Sequence, residues 1–243
     1  MALLSARSIV VRFGGIDALA DASIEVESSA VTGLIGPNGA GKTTFFNVIT
    51  GLQRPLRGRV VFDDQDITGQ SPYRRARMGI ARTFQKLEAF SSLSARDNVL
   101  VAAEQRRRRD RSERSSAELA DELLARVGLE DVADFMVGTL PTGTARLVEL
   151  ARALATSPKL LLLDEPSSGL DDHETAAMAS LLRDLVTDGL AVLLVEHDMS
   201  FVMGTCDVIT VLDFGRVISS GTPDDIGADP AVQAAYLGTM ADS

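Results

Sequence analysis

A single run, Gly36-Pro37-Asn38-Gly39-Ala40-Gly41-Lys42-Thr43, restricts this chain to a small set of folds. It has the spacing G-x-x-x-x-G-K-[ST], follows directly on the apolar stretch Val31 to Ile35, and leads into a segment that reads as helix until Gly51. Such a loop works where a buried strand delivers it to a sheet edge and a helix begins inside it. Glycines without a Cβ let the backbone wrap a polyphosphate, so that successive N–H groups and the helix N-terminus face its oxygens. Lys42 is placed to reach the outer phosphates and the Thr43 hydroxyl to ligate Mg²⁺, with Thr44 in the same first turn. Average residue frequencies give this match by accident in on the order of 1% of chains of this length.

The rest of the chain supplies the sheet that the loop requires. Leu160 to Leu163 and Ala191 to Val195, like Val31 to Ile35, are nearly continuous apolar runs, the pattern of parallel strands covered by helices on both faces. Ile9 to Phe13, Ile24 to Glu27 and Arg59 to Phe62 alternate in part and are bounded by Gly, Asp and Ser, which predicts an antiparallel region near the start. From about Leu93 to Ser157 the chain reads as mostly helical, with helical spacing over Ala117 to Val127 and Leu147 to Ala155. The expected architecture is α/β: a P-loop NTPase (RecA-like) core with a parallel sheet, an N-terminal antiparallel β subdomain, and an inserted helical subdomain over about 93–157. At 243 residues this is expected to be one domain, 1–243. Gln105 to Arg114, QRRRRDRSER, reads as a solvated helix face or mobile loop, with contact to anionic lipid or a partner as the alternative.

Charge narrows the function classes. A net charge of −10 and a pI near 4.7 argue against a protein that coats nucleic acid. The single cysteine, Cys206, allows no intrachain disulfide and fits a reducing cytoplasm. The N-terminus lacks the apolar core of a secretory leader, and no apolar run approaches the roughly 20 residues of a membrane-spanning helix. Any membrane role is therefore expected to go through a partner.

Two acids, Asp164 and Glu165, stand at the end of the run Leu160 to Leu163, where open parallel sheets hold their ligands. Asp164 is the candidate to orient a magnesium shell, directly or through water, and Glu165 the candidate base for an attacking water. Read alone, the pair is as readily the solvated start of a turn at Pro166. His197 follows the next apolar strand and would reach the same edge, where it could sense a γ-phosphate; taken alone, such a histidine is more often a packed or surface residue. His173, within Asp171-Asp172-His173-Glu174, reads as a surface residue.

Together these residues resemble the ATP-binding-cassette ATPases along almost the whole chain. The resemblance implies ATP and Mg²⁺ as cofactors, ATP hydrolysis coupled to transport, and Gly36 to Thr44 as the ATP-binding stretch. It makes Gln85, in Arg82-Thr83-Phe84-Gln85, the glutamine-loop residue that links magnesium and water to a transmembrane partner. Ser168-Gly169-Leu170-Asp171 matches the loop that crosses the dimer interface, and His197 the switch histidine. Phe13 takes the place of an aromatic against adenine, or is an ordinary core strand residue. With Lys42, Glu165 and His197, Gln85 completes the implied catalytic set; Thr43, Gln85 and Asp164 are the implied metal contacts.

Within the family, Arg12-Phe13-Gly14-Gly15, Gly79-Ile80-Ala81-Arg82-Thr83-Phe84-Gln85, Glu196-His197-Asp198-Met199 and Ala235-Tyr236-Leu237-Gly238 resemble the ATPase subunits of branched-chain amino-acid importers. Partners implied are transmembrane permease subunits, a second ATPase subunit that is either different or a copy of this chain, and indirectly a solute-binding protein, on the inner face of the cell membrane; no nucleic acid is expected. The alternatives are a soluble ATP-dependent dimerisation switch, the ATPase of a lipopolysaccharide-type exporter, or a subunit that binds ATP without hydrolysing it. One element departs from the family. Its usual signature, Leu-Ser-Gly-Gly-Gln, is represented by Leu140-Pro141-Thr142-Gly143-Thr144, where Gly143 would face the opposite subunit's ATP but Pro141 offers neither hydroxyl nor N–H.

Overall fold

The computed structural model describes residues 2–84, 87–110 and 115–240, organised by two sheets. The first, antiparallel, is built from β1 (Ala2–Phe13), β2 (Ile16–Glu27), β4 (Arg57–Phe62) and β5 (Gln65–Asp66) in the order β2-β1-β4-β5, with β3 (Val31–Ile35) passing to the other sheet. β1 is longer than the run Ile9 to Phe13 read from the sequence. Its buried residues are Leu4, Ala6, Ile9 and Val11, and the step of three between Ala6 and Ile9 coincides with a register shift and with Ser8 at φ 52. The bulge rephases the strand so that both halves face one core, a continuity that the polar pair Arg7-Ser8 hides in the sequence.

The second sheet adds β6 (Ile80–Arg82), β7 (Leu160–Asp164), β8 (Ala191–Val195), β9 (Val208–Asp213) and β10 (Arg216–Gly221) in the order β10-β9-β3-β8-β7-β6. All neighbours pair in parallel except β10 with β9. The continuous apolar runs divide by period two: Leu160, Leu162, Leu193 and Val195 enter the core beneath the antiparallel sheet, while Leu161, Leu163, Val192 and Leu194 enter the core on the other face. Helices α1 (Lys42–Thr50), α2 (Pro72–Met78), α3 (Ala95–Asp110), α4 (Ser116–Arg126), α5 (Thr142–Leu154), α6 (Asp172–Thr187), α7 (Met199–Thr205), α8 (Pro223–Ala228) and α9 (Pro230–Met240) cover these layers. Phe45, Phe46, Val48 and Ile49 of α1 fill the first core; α3, α4 and α5, which come between β6 and β7 in chain order, pack on one another and close the second. Within Gln105 to Arg114, α3 runs through Asp110 and residues 111–114 lie outside the described residues.

Two buried polar features fix the frame around the loop. Arg75 is almost inaccessible to solvent and donates to the carbonyls of Val48, Ile49, Thr68 and Gln70 at 2.6–3.1 Å, so a cation closes the C-terminal end of α1. Cys206, at the end of α7, lies where a Cβ on Gly33 of β3 would come within 2.9 Å of its Sγ, and burial pushes its thiol up to about 12. Among the described residues no helix is long and apolar enough to cross a membrane.

Candidate active site

β3, β8 and β7 are adjacent in the sheet, so their C-terminal ends bring Gly36 to Thr43, Glu196 to His197 and Asp164 to Glu165 to one edge. At Gly36, φ is 147 and an added Cβ would lie 1.9 Å from the Leu212 carbonyl oxygen. The loop is pressed against β9, and only glycine fits. α1 begins at Lys42 without a side-chain cap, leaving its first N–H groups free of intrahelical partners at the mouth of the loop. Lys42 Nζ donates to the carbonyls of Gly36 and Pro37 at 2.6 and 3.0 Å, curling over the loop it is placed to close. Burial holds its ammonium below the usual lysine range, an effect opposed by Glu165 and Asp164.

Asp164 is buried, and its partner is an arginine. Arg82, at the end of β6, reaches Asp164 Oδ2 at 2.8 Å and Asn47 Oδ1 of α1 at 2.7 Å, with its guanidinium over the rings of Phe46 and Phe84 at 5.3 and 4.9 Å. Both side chains of the ion pair are 7% exposed. Glu165 adopts φ 51 immediately after the strand, a left-handed conformation that costs a non-glycine residue about 1 kcal/mol or more and marks a turn held by its surroundings. His197 Nδ1 lies 3.9 Å from Glu165 Oε1 and 3.6 Å from Glu196 Oε2, and the imidazole is two-thirds exposed, so it is not a packed core residue. Phe13 is half exposed at the end of β1, which removes the core reading and leaves its ring at the surface. His173 is exposed, as expected.

Gln85 lies outside the described residues. Its described neighbours are held on both sides: Arg82 upstream, and downstream Glu88, whose N–H donates to Glu149 and whose carbonyl accepts from Arg152 at 2.9 Å. Burial pushes the Glu149 carboxyl up. Arg152 also stacks on Phe90 at 5.3 Å. These contacts floor a groove of about 890 Å³ walled by Leu52, Tyr73, Phe84, Phe90 and Val101.

The divergent signature is set apart from this cluster. Pro141 is the N-cap of α5 and makes no side-chain cap, so the N–H groups of Thr142, Gly143 and Thr144 open the helix. A Cβ on Gly143 would lie 2.6 Å from Leu170 Cδ2, and one on Gly169 3.6 Å from Thr142 Cγ2, so signature and interface loop pack as one surface.

The donor set at the sheet edge fits magnesium. Among the described residues no three His, Cys, Asp or Glu side chains converge as a metal cage. Thr43 and Asp164 offer one hydroxyl and one carboxylate, so an ion between them would take its other ligands from phosphate and water, as Mg²⁺ does. Arg82, Glu149 and Glu196 were not identified from the sequence as site residues. The available signal was a charged residue at the end of a short β run for Arg82, and an acid between an apolar strand and a histidine for Glu196.

A loop of this form, on this sheet, with paired acids on the neighbouring strand, defines a P-loop nucleotide hydrolase. The family model described as ABC transporter matches residues 19–168, and one described as branched-chain amino acid ATP-binding cassette transporter matches residues 216–242. The chain belongs to the ABC transporter family, as an ATP-binding subunit whose activity is ATP hydrolysis. It is 38% identical over 249 residues to the high-affinity branched-chain amino acid transport ATP-binding protein BraF of Pseudomonas aeruginosa, and 37% identical to LivG of Escherichia coli, covering 97% of this chain and 98% of each relative. The lipopolysaccharide export system ATP-binding protein LptB of Acidithiobacillus ferridurans is 38% identical over 236 residues, covering 97% of both chains. A nucleotide-free ATP-binding cassette from an ABC transporter superposes with a TM-score of 0.87 at 31% identity, covering 97% of this chain and 99% of that one; the ADP conformation of such a cassette gives the same score and identity over 98% and 99%.

Proposed function

We propose that this chain powers the uptake of branched-chain amino acids or a related small polar substrate, from the inner face of the cell membrane, by binding and hydrolysing ATP against transmembrane permease subunits. The observation that carries the ATPase half is the convergence of Lys42, Asp164, Glu165 and His197 at one sheet edge. What supports the substrate half is the likeness to BraF and LivG and the C-terminal match at 216–242. In this reading Gly36 to Thr44 cradle the phosphates, Phe13 faces adenine, and Thr43, Asp164 and Gln85 hold Mg²⁺, which when bound neutralises charge on the β and γ phosphates. Glu165 accepts a proton from the attacking water, and His197 and Lys42 stabilise the γ-phosphoryl. The helices over about 93–157 act as the inserted subdomain, and the apolar groove at Phe84 and Phe90 receives the permease.

Two chains would clamp ATP between one P-loop and the other's signature, with a solute-binding protein acting only through the permease. Because Pro141 removes one donor, this chain is best served by a different ATPase partner with an intact signature, and its own signature leaves the reciprocal site slow. Affinity purification from detergent-solubilised membranes with ATP, followed by mass spectrometry, tests the assembly: two multi-spanning permeases and a second cassette are expected. Cells lacking the chain should lose uptake of labelled leucine, isoleucine or valine, with rescue by the natural chain and none by Glu165→Gln. Intact uptake, recovery of lipopolysaccharide-export components, or recovery of no membrane protein would overturn the importer assignment.

A further inference from the structure

Glu196 is the one carboxylate at this edge that solvent does not reach at all: its exposure is 0%. An anion so placed is costly unless its oxygens are bonded, and among the described residues no lysine or arginine pairs with it. Its bonds go elsewhere. Oε1 accepts from the Ser167 backbone N–H at 2.8 Å and from the Ser167 hydroxyl at 2.6 Å. Oε2 accepts from the His197 backbone N–H at 3.0 Å and faces His197 Nδ1 at 3.6 Å. One buried group therefore ties the end of β8 to the turn that follows β7.

That turn is the strained one. Glu165 leaves the strand at φ 51, its carbonyl accepts from Ser168 N–H at 3.2 Å, and the Ser167 N–H, which points out of the turn, is taken up by Glu196. Without that acceptor the turn has less to hold Glu165 in the left-handed region, and His197 loses the contact that fixes its backbone and flanks its ring.

We propose that Glu196 is a positioning residue for hydrolysis, setting Glu165 through Ser167 and His197 through its backbone N–H and Nδ1 side. The inference rests on Glu165 and His197 acting in turnover. It assigns Glu196 no contact with ATP, so it predicts a selective loss. Glutamine has the same size but must present its amide N–H₂ either to the two donors of Ser167 or to the donor of His197, leaving donors opposed on one side.

The test uses the full chain in the complex purified with it, measuring kcat, KM for ATP, ATP affinity and thermal midpoint. Glu196→Gln is expected to lower kcat roughly ten- to a hundredfold, with KM and ATP affinity within about threefold of the natural protein and a melting temperature within a few degrees. Ser167→Ala, which keeps the backbone bond and removes only the hydroxyl, should lower kcat roughly three- to tenfold with the same selectivity, and carries the test if the Glu196 variant does not fold. Folded variants with kcat within twofold of the natural value overturn the inference, as do variants in which kcat and ATP affinity fall together with stability. Glu165→Gln and His197→Ala are run beside them. If those two turn over normally, the assignment beneath the inference fails; if they stall while Glu196→Gln and Ser167→Ala do not, only the role of Glu196 fails.

Discussion

In the proposed reading the chain presents two surfaces to nucleotide, and they are built to different standards. At the P-loop edge, three groups are held firmly: Lys42 is bonded to two carbonyls, Asp164 to Arg82, and Gly36 is pressed against the Leu212 carbonyl. At the signature, α5 starts on an uncapped proline, and what remains for a neighbour's phosphate is three backbone N–H groups and two threonine hydroxyls. The first surface is braced by side-chain and backbone contacts, and the second offers little beyond a helix end. The contrast teaches that this chain carries the full motif in its own loop, whereas the stretch that would serve a partner's site departs from the usual signature.

The harshest test of the comparison is a pair of matched glycine substitutions. Gly36→Ala would drive a Cβ into a backbone oxygen at 1.9 Å and is expected to cost more than about 4 kcal/mol, lowering the melting temperature by roughly 10 °C or abolishing folding, with no ATP binding. Glu165→Gln should keep ATP binding and lower turnover by at least about a hundredfold, measured as Mg²⁺-dependent phosphate release; unchanged release would take Glu165 out of the base role. Pro141→Ser restores a hydroxyl and an N–H, and should tighten ATP-driven self-association by about tenfold in a Glu165→Gln background, read by sedimentation. No tightening would mean that Thr142 or Thr144 already does this work. Smallest is Gly143→Ala: the clash at 2.6 Å is with the movable end of Leu170, and alanine is the better helix former, so calorimetry should show a stability change within about 1 kcal/mol.

The sequence showed the parts of the fold that are local. β3, the loop and α1 were legible because a fixed spacing sits between an apolar run and a helical one, and β7 and β8 because strands buried on both faces cannot avoid being continuously apolar. The full reach of β1 was not, since the bulge at Arg7-Ser8 breaks the alternation that identifies a strand. Arg82 and Asp164 stand 82 residues apart and Glu196 and Ser167 29, so what makes each a partner is the strand order, which no spacing encodes. Arg75 illustrates the same point from the other side: in Tyr73-Arg74-Arg75-Ala76-Arg77 nothing separates the buried arginine from its solvated neighbours.

The lone thiol gives the protein a clock. Cys206 packs against β3, the strand that launches the phosphate loop, and with its thiol near 12 the folded chain offers almost no thiolate at neutral pH. Alkylation must wait for an opening that frees α7 from β3. The labelling rate of the natural, unmodified chain therefore counts those openings one by one, and ATP, by holding the loop that β3 carries, should slow the count.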